Sequence, residues 1–212
     1  MTLSFNKAAV VKTLLMFMCL VTTVTGYADV KESQPLTASK VFAEIPLEVL
    51  DMLRQSTRLD MIDYYSQADS LVTVQDALGG QSRLQQVESD YLKVSVTPVS
   101  TLEIKLLPAK KDQIIMTLYT VGNDSLASDT QVKFFDSALK PLSTEKYLKT
   151  PVLKDFFTLK NSGLSASEVA EKIPFEAIVY STGPGDTPLT ATLTTLKAIS
   201  KEDRDLLTPL LA

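Results

Sequence analysis

Leu92–Leu106 reads LKVSVTPVSTLEIKL, and its periodicity decides the fold. Leu92, Val94 and Val96 alternate with Lys93, Ser95 and Thr97, and Leu102, Ile104 and Leu106 alternate with Glu103 and Lys105. Successive side chains of an extended backbone point to opposite faces, so strict alternation predicts two strands, each with an apolar and a polar side. Pro98–Thr101 separates them, which makes the pair an antiparallel hairpin with one wet face. Setting Lys93 opposite Lys105 would place like charges side by side. The expected register lies two residues away from that pairing.

The period of two begins at Leu71 and continues downstream. Ile114–Val121 (IIMTLYTV) is apolar on both faces and reads as a central strand covered on one side by helices. Ile104, Ile114, Met116 and Leu118 are the expected core. Val132 and Phe134 sit on another alternating stretch. Phe175, Ala177 and Val179 are expected to share one face of a late strand. Leu189, Ala191 and Leu193 do so on the next, with Thr190, Thr192 and Thr194 outward. Ser181–Pro188 (STGPGDTP) supplies the turn between them.

Residues 39–68 have helical spacing. Val41, Phe42, Ile45 and Val49 fall on one side, and Pro46 splits the stretch into two short turns. Thr57-Arg58-Leu59-Asp60 reads as a capping box opening a helix whose buried face is Leu59, Ile62 and Tyr65. Ser165-Ala166-Ser167-Glu168 is a second box, opening a short helix that must stop before Pro174, and Ser200 starts a C-terminal turn. Helices first, then a meander, with helical inserts between later strands, is an α+β order. The expected fold is short N-terminal helices packed on one predominantly antiparallel sheet. A partly closed barrel is the alternative, because closure depends on strand tilt and shear.

The chain has 212 residues, 45% hydrophobic and 22% charged, which is the balance of a globular protein. It contains no His and a single Cys, Cys19, which excludes His-based metal sites and the Ser-His-Asp and Cys-His mechanisms. Lys7 and Lys12 precede an apolar run, Thr13–Val24, too short for a comfortable membrane span. Small residues at Gly26 and Ala28 then fit a signal peptide over 1–28, cut between Ala28 and Asp29, with a cut after Gly26 as runner-up. Met18 stands where a lipidation signal needs a small residue, so Cys19 is lost with the signal. Residues 29–38 read as a flexible leader and 39–212 as a single domain. Two of the 21 basic residues fall in the signal, leaving 19 against 25 acids, a net charge of −6. An acidic chain with no basic stripe argues against nucleic acid and anionic membranes as partners. The mature chain has no transmembrane segment.

Pro46 and Leu50, then Arg58-Leu59-Asp60-Met61-Ile62-Asp63-Tyr64, Leu78-Gly79-Gly80, Asp90-Tyr91-Leu92 and Leu106-Leu107-Pro108, carry a resemblance. In this order they resemble an uncharacterised family of small exported proteins from Bacteroidales, a domain of unknown function. The likeness covers residues 40–160; the region from Ser165 onward adds nothing to it. It implies a Gram-negative envelope setting, periplasmic or extracellular with outer-membrane association, and it transfers no activity, cofactor or catalytic residue. In that setting Asp69-Ser70-Leu71, Asp124-Ser125-Leu126 and Asp136-Ser137-Ala138 look like acceptors for O-glycosylation at Ser70, Ser125 and Ser137.

No other motif nominates a catalytic, cofactor or metal residue. Asp60 and Asp63 share a helix face and could hold a hard cation, but capping and the helix dipole account for both, with Arg58 paired to a carboxylate. Ser137–Lys140 and Ser143–Lys146 match Ser-x-x-Lys without the companion motifs of penicillin-recognising enzymes. Gly122–Ser125 with Asp129 offers too few oxygens for calcium. Gly79-Gly80 and Gly183-Pro184-Gly185 lack phosphate-loop spacing and read as turns. The chain reads as a non-catalytic binding or scaffold module whose partner is an envelope protein or a small ligand. A carrier with an apolar pocket, or a His-free hydrolase, is the alternative.

Overall fold

The computed structural model describes residues 35–68, 72–109, 112–122, 127–160 and 162–212. Contacts group Leu36–Ala212 into one unit. Two helices open it, α1 (Ala38–Glu44) and α2 (Gln55–Ala68). Seven strands follow: β1 (Val74–Gln75), β2 (Gln81–Val87), β3 (Tyr91–Thr97), β4 (Ser100–Leu107), β5 (Ile114–Val121), β6 (Asp129–Phe135) and β7 (Pro141–Leu142). Each pairs antiparallel with its neighbour in sequence, giving a seven-stranded meander in the order β1 to β7. The sheet is open: its ends are the two-residue strands β1 and β7. Such short edges offer little template for pairing with another chain. The barrel alternative is thereby set aside.

The hairpin has the expected register. Lys93 faces Glu103 and Tyr91 faces Lys105, two residues away from the like-charge pairing. Alternation then sorts the apolar residues onto two faces. Leu92, Val94, Val96, Leu102, Ile104, Leu106, Ile115 and Phe135 face α1 and α2, where Val41, Phe42, Ile45, Leu50, Leu53 and Met61 complete a core. Met116, Leu118 and Phe134 face the other way, against the C-terminal third of the chain. β5 is therefore covered on both sides, as its uninterrupted apolar run requires. Ile104, Met116 and Leu118 are buried as expected. Ile114 is only partly buried, because it is the first residue of its strand.

The C-terminal third contains α3 (Ala166–Lys172), β8 (Ile178–Ser181), β9 (Thr190–Leu193) and α4 (Lys201–Leu207). The Ser165–Glu168 capping box forms as read, and Ser200 caps α4. The last two strands do not extend the meander but pair with each other as a separate two-stranded ribbon. Ala177 is buried just before β8, but Phe175 is exposed and Val179 only partly buried, and within the strand the inward residues are Ile178 and Tyr180, one off the expected parity. In β9, Leu193 is buried and Thr190 and Thr192 are exposed as expected, whereas Ala191 is exposed and Thr194, just past the strand, is buried. Polar docking is the physical reason. The Ile178 N–H donates to Asp129 Oδ1 (3.1 Å) and the Tyr180 N–H to Thr130 Oγ1 (3.2 Å), both on β6. The Thr194 hydroxyl accepts from the Ser128 N–H at 3.0 Å, so this threonine is buried as a fastener.

The capping box expected at Thr57–Asp60 does not open the helix. α2 begins at Gln55, where the Arg58 N–H already reaches the Arg54 carbonyl at 3.0 Å, so Thr57 and Asp60 lie inside the helix and cap nothing. Its inward face is Arg58, Met61, Ile62 and Tyr65, while Leu59 is 47% exposed.

Candidate functional site

Arg58 is the largest departure from expectation. It is 2% exposed, and its Nη1 donates to the carbonyls of Phe42 (2.9 Å) and Ile45 (2.6 Å) rather than to a carboxylate. Those carbonyls belong to the end of α1, where helical partners run out and a cation is favoured by the dipole. Burial pushes its pKa down. Asp60 and Asp63 remain exposed on α2, away from this contact. Among the described residues no group of three carboxylate, His or Cys side chains converges as a metal site.

The supposed wet face of the β3–β4 hairpin carries Lys93, Glu103 and Lys105, and its β4 half is not wet. Glu103 and Lys105 are each 4% exposed. Glu103 meets Lys93 at 3.0 Å and accepts from the Thr182 N–H at 3.4 Å. Lys105 Nζ lies 2.6 Å from Asp90 Oδ2 and donates to the Gly185 carbonyl at 2.5 Å, while the Gly185 N–H donates to the same Asp90 oxygen at 3.1 Å. The β8–β9 turn thus folds over the polar half of the sheet face. Gly185 needs its φ of +62°, a backbone state that side chains disfavour. The hydrogen bond from Lys105, more than any other cause, holds the Asp90 carboxyl below its ordinary range. Burial first, then the charge of Glu103, keeps Tyr91 neutral far above the usual phenol range. The sequence marked this turn as a linker only; the lone Lys-Glu alternation opposite it was the available signal.

A second cluster lies where β6 meets β8. A cavity of about 320 Å³ is lined by Asp129, Glu176 and Tyr180, by the hydroxyl-bearing Thr130, Thr144 and Thr150, and by apolar Val132, Leu148 and Ile178. Tyr180 is 6% exposed, and its hydroxyl has no hydrogen-bond partner among the described residues. Burial, and then the nearby Asp129 charge, raises its pKa. Two further depressions flank α3. One of about 660 Å³ holds Glu168, Glu171 and the Lys172–Asp203 ion pair at 2.7 Å. The other, of about 280 Å³, is mostly apolar, with Val152, Leu153, Phe157 and Val169.

The remaining motifs resolve into local structure. Ser137 is exposed in the β6–β7 turn, where Asp136 Oδ1 accepts the N–H groups of Ala138 and Lys140. Ser143 donates to Glu145 at 2.6 Å and Lys146 lies over the Tyr147 ring, so Ser143 is not activated by its lysine. Gly79-Gly80 turns around Asp76, whose Oδ1 accepts from Leu78 and Gly80. Ser70, Ser125, Ala28 and Asp29 lie outside the described residues.

These features define an α+β protein built on an open antiparallel meander, with a small ribbon clamped across one face by charged and hydroxyl side chains. The chain belongs to the family described as "Protein of unknown function (DUF3256)", whose model matches residues 30–212. The resemblance drawn over residues 40–160 therefore runs on through the C-terminal ribbon. The fold is similar to the solved structure of a domain of an uncharacterized protein from Porphyromonas gingivalis W83. That likeness has a TM-score of 0.69 at 18% identity, over 82% of this chain and 88% of the other. No curated protein matches the chain. None of its described helices is long and apolar enough to cross a membrane.

Proposed function

We propose that this chain is an exported, non-catalytic binding module of the cell envelope. The observation that carries the reading is how the buried charged residues are spent. Glu103 is closed onto Lys93 and Lys105 onto Asp90, all three of Glu103, Lys105 and Asp90 also bind the backbone of the β8–β9 turn, and Arg58 binds the end of α1. Groups engaged in this way hold the protein together. A catalytic acid or base instead needs a free path to a substrate. The apolar clusters on the two faces of the sheet are packed by side chains, which favours a module acting at its surface over a carrier with an apolar interior.

Export rests on the N-terminal run of Lys7, Lys12 and Thr13–Val24, with cleavage leaving Asp29 first. N-terminal sequencing of the envelope form checks this; an intact Met1 or a lipid on Cys19 overturns it. Ser137, exposed in its turn, is the described acceptor of the proposed O-glycosylation; intact mass of native protein, with Ser137→Ala, tests it, together with Ser70 and Ser125. Crosslinking in native cells tests the function. The expected result is a discrete partner or ligand that Glu103→Gln and Lys105→Met still recover, although both lower thermal stability. If Glu103→Gln keeps stability but removes a hydrolytic activity, the chain is an enzyme and this reading falls.

A further inference from the structure

The cavity between β6 and β8 has an unbalanced set of polar groups. Asp129 and Glu176 are acceptors only when ionised, and neither Lys nor Arg is among the described residues lining the cavity. One Asp129 oxygen takes the Ile178 N–H, leaving the other available. The Tyr180 hydroxyl is buried beside that carboxylate without a partner, a state that costs free energy unless something completes it. Val132, Leu148 and Ile178 add an apolar wall. A volume of about 320 Å³ is that of a small-molecule site at the lower end of the usual range.

We infer that this cavity binds a short primary alkylamine, its ammonium held by Asp129 and Glu176 with Tyr180 and its alkyl stem against Val132, Leu148 and Ile178. An ammonium brings three donors and no acceptor, which matches an acceptor-rich, cation-free lining. The apolar wall favours an alkylamine over a hydrated divalent ion, which seeks six or more oxygens. The inference rests on the binding-module reading and names one ligand class for it.

Isothermal titration of the full chain with n-butylamine, with n-butanol as neutral isostere and calcium chloride as rival, tests it. The expected result is saturable butylamine binding in the millimolar range, with no butanol or calcium binding there. Glu176→Gln, at an exposed position, should weaken the affinity about tenfold, and Tyr180→Phe several-fold. Asp129→Asn should do at least as much, but it also touches the β8 backbone, so Glu176→Gln carries the test. Calcium binding without amine binding, equal binding of butanol, or an unchanged affinity in Glu176→Gln overturns the inference. Unchanged partner recovery from cells by Glu176→Gln, alongside any of those outcomes, leaves the broader binding reading standing.

Discussion

Lys93 and Glu103 face each other across the β3–β4 ladder with their charged atoms 3.0 Å apart, Lys93 partly exposed and Glu103 buried. The pair sets register and docking together, because Glu103 also accepts from the Thr182 N–H of the β8–β9 turn. Removing one partner of a buried pair leaves the other uncompensated. Lys93→Met should therefore destabilise the protein by about 1–3 kcal/mol. Lys93→Met/Glu103→Gln together should recover part of that loss, as chemical denaturation of the single and double variants will measure.

Arg58 ties α2 to the end of α1. Arg58→Met keeps much of the volume but leaves the Phe42 and Ile45 carbonyls unpaired, and should cost about 2–4 kcal/mol. Asp60→Ala, on the exposed side of the same helix, should stay within about 0.5 kcal/mol. Equal effects in denaturation midpoints would contradict the separate roles of these two residues.

Acid should loosen the turn over the sheet. Asp90 is held below its ordinary range when folded, so its stabilisation is fully present above the unfolded carboxylate value and fades as pH falls through the lower folded value. Asp90→Asn should lower stability at neutral pH and flatten the decline below about pH 4. Thermal melts from pH 3 to 7 measure the difference between the two curves.

The alkaline side has its own signature. Tyr91 is neutral when folded and its pKa is raised, so the stability it confers is present below the unfolded phenol value and is lost as pH rises beyond it. Tyr91→Phe should reduce the loss of stability above about pH 10.

Leu118→Ala should cost about 2–5 kcal/mol, since Leu118 is wholly buried between the sheet and the C-terminal third. Ile114→Ala should cost less, because Ile114 is only partly covered at the start of its strand. The two midpoints read side by side test the assignment of faces.

Period and charge made the meander legible. Lys93 and Lys105 excluded one register, and IIMTLYTV announced a strand buried twice. Capping chemistry located α3 through Ser165 and Glu168, yet misled at Thr57, because the same residue types occur inside helices when tertiary packing outweighs local preference. The site was hidden for a different reason. Lys105 meets Gly185, and Tyr180 meets Thr130, across long stretches of chain, and no local period encodes which turn will lie on which strand. A wet face and a face awaiting a cover have the same alternation.

That cover is made late. As the chain emerges N-terminus first, Met116, Leu118 and Phe134 stand bare until Ile178, Leu193 and Leu207 arrive to pack on them. The half-built sheet is then a greasy intermediate during synthesis, and its persistence depends on elongation speed and on holding chaperones. Slow codons or pauses placed between β7 and β8 would prolong that exposed stage and raise the yield of aggregates, with the finished protein unchanged.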